Sequence, residues 1–490
     1  MTQSDLILGN ARPYDGGDPV DIVVREGRIA AIVPAGAGEG SGERVDAGGR
    51  FVGPGMWDAH VHFTQWVITQ RRVDLSGTRS AADVIDTVHR AIETGFPLTG
   101  GVLLGYGYRD GVWTEPTSLR ALDEAFPEVP VVLVNNDLHS AWMNTPGASV
   151  MGLSPDASGV VSEGEWIGSL QRFQHASTVP VEAFREAADA AAQRGVVGVV
   201  EYENVPNFEE WPARVAEGVT SLRVDAAVWP DRLEEAIERG LRTGDALDPD
   251  GLVRMGRLKV VVDGSLNTRT AWCWDPYPGL DPAAPHACGV ESVPIDELRR
   301  LLVRARENGL EAAVHAIGDR ANTEVIAAFE DLGMAGIIEH AQLVKDEDFA
   351  RFAPAGLIAS IQPEHAMDDR DVADRHWAGR TGRAFAFGSL HRSGAALRLG
   401  SDAPVAPLDP WHAVASATAR SRGDREAWHP EQRLPLDVAL EASSRSTLAV
   451  GQPADLVVID RDPYACERDE LREMPVAATL LAGRFTHRTL

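Results

Sequence analysis

The sequence predicts an α/β fold. Its centre is a (β/α)8 TIM-type barrel, with a composite β-sandwich domain built from both termini and an insertion after strand 1. Three observations predict it. Eight short apolar runs between residues 56 and 402 end in polar residues, helix-like stretches follow several of them, and the two ends of the chain share a strand-and-turn character.

From the N-terminus, Asp21–Arg25 and Arg28–Val33 are β-rich runs around Glu26-Gly27, a hairpin signal. A glycine-rich loop, Ala35–Gly42, precedes Phe51-Val-Gly-Pro-Gly55. The other end carries Ala454–Asp460 and Ala477–Phe485. Terminal strands need partners for their backbone groups, so residues 1–54 and 444–490 are expected to form one domain. The alternative is two independent hairpins. Residues 55–443 then hold the barrel strands: Met56–His60, Val196–Tyr202, Leu222–Val228, Leu258–Val262, Ala312–Ala316, Gly336–His340, Leu357–Ile361 and Ala396–Asp402. Helical stretches such as Thr323–Leu332 and Asp346–Phe352 lie between them. A doubly wound sheet is the rival arrangement. The long interval after the first strand requires an insertion, about residues 67–186, with strands of its own at Gly101–Leu104 and Val131–Val134.

The chain has 490 residues, 44% hydrophobic and 24% charged, with a net charge of −27. This is globular composition, and the negative charge disfavours nucleic acid and anionic membrane surfaces as partners. Three cysteines cannot frame a disulfide scaffold. No basic leader or membrane-length apolar run is visible, so a cytoplasmic protein acting on a small molecule is expected. A homodimer is the expectation from oligomer frequencies.

His60 and His62 stand at i and i+2 at the end of the first strand, where period-two geometry turns both to one face. His315, His340 and Asp402 close the fifth, sixth and eighth runs. Any one of them reads equally as an ordinary strand-end polar residue. Together they converge on the face where barrel enzymes keep their sites, and imidazole with carboxylate suits zinc and similar divalent ions. Only two of the 46 basic residues are lysines, Lys259 and Lys345, and Lys259 lies inside an apolar strand. A buried cation is costly, and a lysine, unlike arginine, can lose its proton there. Lys259 is therefore either carbamylated, bridging two metals, or neutralised by an acid such as Asp263. No Gly-X-Ser-X-Gly elbow, dinucleotide fingerprint or P-loop is present.

Gly53–His62, Lys259–Ala271, His315–Ala321, Ile338–Gln342 and Gly400–Pro404 together resemble the amidohydrolase superfamily. Within it they resemble the N-substituted formamide deformylase-like (YtcJ-like, amidohydrolase family 3) branch. Gly105–Gly107, Trp113 and His139–Asn144 in the insertion fit this branch, and Gly451–Asp460 resembles the superfamily's return to its β-domain. Asp137-Leu-His139, Asn267-Thr268 and Glu441–Arg445 depart from the branch pattern without touching an expected ligand. The resemblance implies one or two divalent ions, Zn first and Mn or Fe next, on His60, His62, His315, His340 and Asp402, with Lys259 bridging if carbamylated. It implies hydrolysis of a C–N bond, amide-type with an N-formyl or N-acyl group among the forms expected, with Asp402 moving the proton. Ester, lactone or carbamate hydrolysis and decarboxylation use the same cradle, and a non-catalytic binding module is the remote alternative. His139 is expected either as a substrate or oxyanion contact or as a residue tying the insertion together. Trp113, Arg269 and His365 are expected to line the substrate pocket, with a packing role the equal alternative for Trp113.

Overall fold

The computed structural model describes residues 5–108, 110, 113–135, 140–162, 165, 166, 169 and 179–490. The chain divides into two compact units, one of residues 1–63 and 184–490 and one of residues 64–183.

The first unit contains the barrel. Its strands are β1 (Met56–Val61), β2 (Val196–Glu201), β3 (Arg223–Val228), β4 (Val253–Val261), β5 (Ala312–Ala316), β6 (Gly336–His340), β7 (Leu357–Ile361) and β8 (Ala396–Leu399). They pair in parallel, in sequence order. A parallel bridge between Val61 and Ala403 draws the two ends of the sheet together. There the His62 N–H donates to the Ala403 carbonyl (2.8 Å) and the Asp402 N–H to the His60 carbonyl (2.7 Å). Helices such as Ile295–Glu307 and Asp319–Leu332 cover the outer face. All eight expected strands are present. β4 starts five residues earlier than its apolar run because Arg254, Gly256 and Arg257 hide the alternation, and β8 ends at Leu399, three residues before Asp402.

Alternation along the strands explains what stands in the barrel interior. Val200, Ala227, Ala313, Ile337 and Ile358, with the Tyr202 ring packed on them, form a small apolar cluster apart from the large strand–helix core. Two residues further along the same strands, toward their C-terminal ends, come Tyr202, Trp229, His315, Glu339 and Ser360. The polar site is thus built directly above an apolar layer.

Both chain ends pair into one further sheet system. Leu6–Pro13 pairs antiparallel with Val20–Arg25 and parallel with Glu43–Asp46, then with Phe51–Pro54, which pairs antiparallel with Leu456–Ile459 from the C-terminus. The strands Val476–Leu481 and Arg484–Arg488 extend it. Leu8, Ile22, Val24 and Val52 share one core with Leu456, Val458 and Leu480. Buried Asp21 organises the glycine-rich loop here. It accepts from the N–H groups of Asn10 (3.0 Å), Gly36 (3.0 Å) and Gly38 (2.9 Å) and from the Arg44 guanidinium (2.6 Å). Burial pushes its carboxyl up, but these donors together hold it at about 2. Asp21→Ala strands three N–H groups and is expected to cost about 2–4 kcal/mol in urea unfolding. The folded pKa lies below the unfolded one, so the difference from wild type is full above pH ~4 and shrinks as pH falls toward ~2.

The second unit carries a five-stranded sheet. Arg72–Asp74, Leu103–Tyr108 and Val131–Asn135 run parallel, and Ser140–Met143 and Val160–Ser162 are antiparallel additions. Helix Ala81–Glu93 carries an N-cap on Ser80 and buries Val84 and Val88. No helix among the described residues is long and apolar enough to cross a membrane.

Candidate metal centre

A cavity of about 350 Å³ opens at the C-terminal ends of the barrel strands, and His60, His62, Lys259, His315, His340 and Asp402 all line it. The ligand atoms of His60, His340 and Asp402 lie within 4.8 Å of one another. Asp402 Oδ1 is 3.4 Å from His60 Nε2 and 3.5 Å from His62 Nε2. The His340 ring is 4.8 Å from that of His60 and 4.4 Å from that of His315.

Local backbone makes this convergence possible. His340 directly follows Glu339, and strict alternation would turn one of the two outward. His340 adopts φ 74° and Ala341 φ 42°, so both Glu339 and His340 reach the interior. Asp402 is likewise left-handed at φ 58°. Non-glycine residues occupy this region at a cost of order 1–3 kcal/mol, and here two of the three converging residues do so. Gly400 supplies the close approach between β8 and β1, since a Cβ there would lie 2.7 Å from His60 N and 2.9 Å from His60 Cβ.

The electrostatics favour neutral imidazoles. Burial, reinforced by the Lys259 charge, holds His60 well below the ordinary histidine range and His315 at about 3. Burial and the neighbouring His315 do the same to His340. His62 differs: burial lowers it, but Glu203 and Asp402 outweigh that and raise it. Burial also lowers the Lys259 amine, against the pull of Glu339 and Asp402. The expected acid partner for Lys259 is occupied elsewhere. Asp263 accepts from the N–H groups of Trp272, Ile317 and Gly318 and sits 3.5 Å from His315 Nε2. Lys259 Nζ instead lies over the Tyr202 ring, 4.2 Å from its centroid.

Lys259 Nζ, His315 Nε2, His340 Nδ1 and His365 Nε2 are buried without a hydrogen-bond partner among the described residues. Orphaned buried polar atoms are costly. Several together around neutral imidazoles and one carboxylate fit a divalent cation.

His365 also lines the cavity, its Nε2 3.7 Å from Asp402 Oδ2 and its Nδ1 3.4 Å from Gln342 Nε2. Arg269 is exposed and outside the cavity lining. Trp113 stands 5.5 Å from Tyr108 and 6.4 Å from Trp142, packed within the second unit. His139 lies outside the described residues. Sequence reasoning did not single out Glu339, whose Oε2 is 2.6 Å from His60 Nδ1, or Tyr202, whose hydroxyl donates to Glu339 Oε1 at 2.8 Å. Glu339 carried the same signal as Lys259, a charge inside an apolar strand.

A parallel barrel with histidines, a lysine and an aspartate at its strand ends is the architecture of metal-dependent hydrolases. The chain belongs to the amidohydrolase family, whose sequence model matches residues 43–487. It is 28% identical to Protein LONG AFTER FAR-RED 3 of Arabidopsis thaliana, over 98% of this chain and 90% of that one. It is 25% identical to N-substituted formamide deformylase of Arthrobacter pascens, over 99% and 98% respectively. Among solved structures, a metal-dependent hydrolase from Pyrococcus horikoshii is 25% identical with a TM-score of 0.79, over 95% of this chain and 99% of that one.

Proposed function

We propose that this chain is a metal-dependent hydrolase of a carbon–nitrogen bond in a small molecule, an amide-type bond such as an N-formyl or N-acyl linkage. The observation that carries the reading is the gathering of His60, His340 and Asp402 donor atoms within 4.8 Å of one another. The family membership and the full-length similarity to a formamide deformylase support the bond class.

His60, His62, His315, His340 and Asp402 would hold one or two divalent ions, zinc foremost, with Lys259 as a carbamate bridging a second. An ion held there supplies Lewis acidity toward the carbonyl and lowers the pKa of a water molecule to about 7. Asp402 moves the proton. Its Oδ1 faces the Nε2 atoms of His60 and His62 and its Oδ2 faces His365. The carboxylate takes the proton of the attacking water and returns it to the leaving nitrogen, which departs poorly as an anion. His365, 3.7 Å from that carboxylate, orients it or contacts the substrate. Trp229, Leu266, Ile317 and Val405 give the cavity an apolar wall, suited to the substituent on the scissile group.

The test is a panel of N-substituted formamides and N-acyl amines beside their matched esters, followed by amine or alcohol release. Amides are expected to be cleaved in a reaction that chelator abolishes and added zinc restores. Cleavage of the esters alone, or turnover indifferent to chelator, would contradict the reading.

A further inference from the structure

We propose that Tyr202 is a positioning residue for the metal centre: its hydroxyl fixes the Glu339 carboxylate, which in turn fixes the tautomer and orientation of His60. The inference rests on the reading of His60 as a ligand.

The relay is buried from end to end, with Tyr202 and Glu339 fully enclosed and His60 1% exposed. Tyr202 follows β2 and is clamped on both sides. Its N–H donates to the Val61 carbonyl (2.8 Å) and its carbonyl accepts from Trp229 Nε1 (3.0 Å). Its hydroxyl is therefore a fixed donor, 2.8 Å from Glu339 Oε1. A glutamate's terminal torsion is broad and settles on no single angle unaided, so a fixed donor on one oxygen sets where the other points. That other oxygen is 2.6 Å from His60 Nδ1. An imidazole that donates from Nδ1 presents its lone pair at Nε2, the atom 3.4 Å from Asp402 Oδ1. The Tyr202 ring packs edge-on against His60, centroids 4.7 Å apart. Its face carries the Lys259 amine. One side chain thus touches the orienting acid, a ligand and the candidate bridging lysine.

Phenylalanine separates the hydroxyl's role from that of the ring, since it keeps the edge-on and face contacts. The experiment titrates Co²⁺ into metal-free wild type, Tyr202→Phe and Glu339→Gln, reading affinity by chelator competition and ligand geometry from the visible absorption bands. Outer-shell partners typically contribute 10–100-fold in metal affinity. Tyr202→Phe is expected to bind Co²⁺ about tenfold more weakly with shifted bands, and Glu339→Gln to lose at least as much. Wild-type affinity and an unshifted spectrum in Tyr202→Phe would overturn the relay while leaving the metal reading intact. Failure of wild type itself to bind Co²⁺ would overturn both. If Tyr202→Phe does not fold, Glu339→Gln still decides, because unchanged affinity in that near-isosteric variant would also overturn the relay.

Discussion

Asp402→Asn is expected to lower kcat/KM by about 10³-fold, within the 10²–10⁴-fold range of a positioned acid–base group, while the protein stays folded. Asparagine keeps the size of the side chain and an oxygen facing His60 and His62, so packing around the 8%-exposed residue is largely preserved. What it loses is a base able to accept a proton and return it to the leaving nitrogen. Two features support the proposed role of Asp402. It lies within 4 Å of three histidines at once. Its backbone is also left-handed, a conformation costly for a non-glycine residue. The check is steady-state kinetics on amide substrate beside circular dichroism and metal analysis of the same preparation. A loss below tenfold would remove Asp402 from the proton path.

His340→Ala is expected to strip the centre of metal, dropping retained ion after dialysis at least tenfold, with activity falling in proportion. The His340 ring sits between those of His60 and His315, so its removal takes a donor from the middle of the cluster and leaves a gap between the others. Burial keeps the His60 and His315 imidazoles neutral, and they cannot fill that gap without moving strands β1 and β5. Exchange of His62, which is partly exposed at the cavity mouth, is expected to cost less. Plasma mass spectrometry of both variants beside wild type measures the difference, and equal metal retention in His340→Ala would exclude the residue as a ligand.

The barrel was legible because its strands are short apolar runs and several of them end in a polar residue. Val314-His315, Ile338–His340 and Leu399–Asp402 carry the pattern in plain view. The first half of β4 was not, since Arg254, Gly256 and Arg257 break the apolar run. The turn of His340 and Asp402 into the site depends on positive φ, which no residue type there announces. Glu339 was readable by the reasoning that selected Lys259, a charge in an apolar strand, yet its partner Tyr202 lies 137 positions away and only the closed barrel unites them. Arg269 illustrates the opposite case. It belongs to a motif stretch next to β4, but the loop turns it into solvent. Walls such as Trp229 and Val405 come from separate βα-loops, whose convergence is a property of the ring and not of any local segment.

The central claim is that the cluster at the strand ends is a metal site. Metal content per folded chain tests it most directly, measured by plasma mass spectrometry on protein purified without chelator and reconstituted with zinc and bicarbonate. At least one tightly held divalent ion per chain is expected. A value near two, falling toward one or none in Lys259→Ala, would fit a bridged pair. A value near one, unchanged in Lys259→Ala, would confine the lysine to a local role. No bound metal after reconstitution would contradict the account.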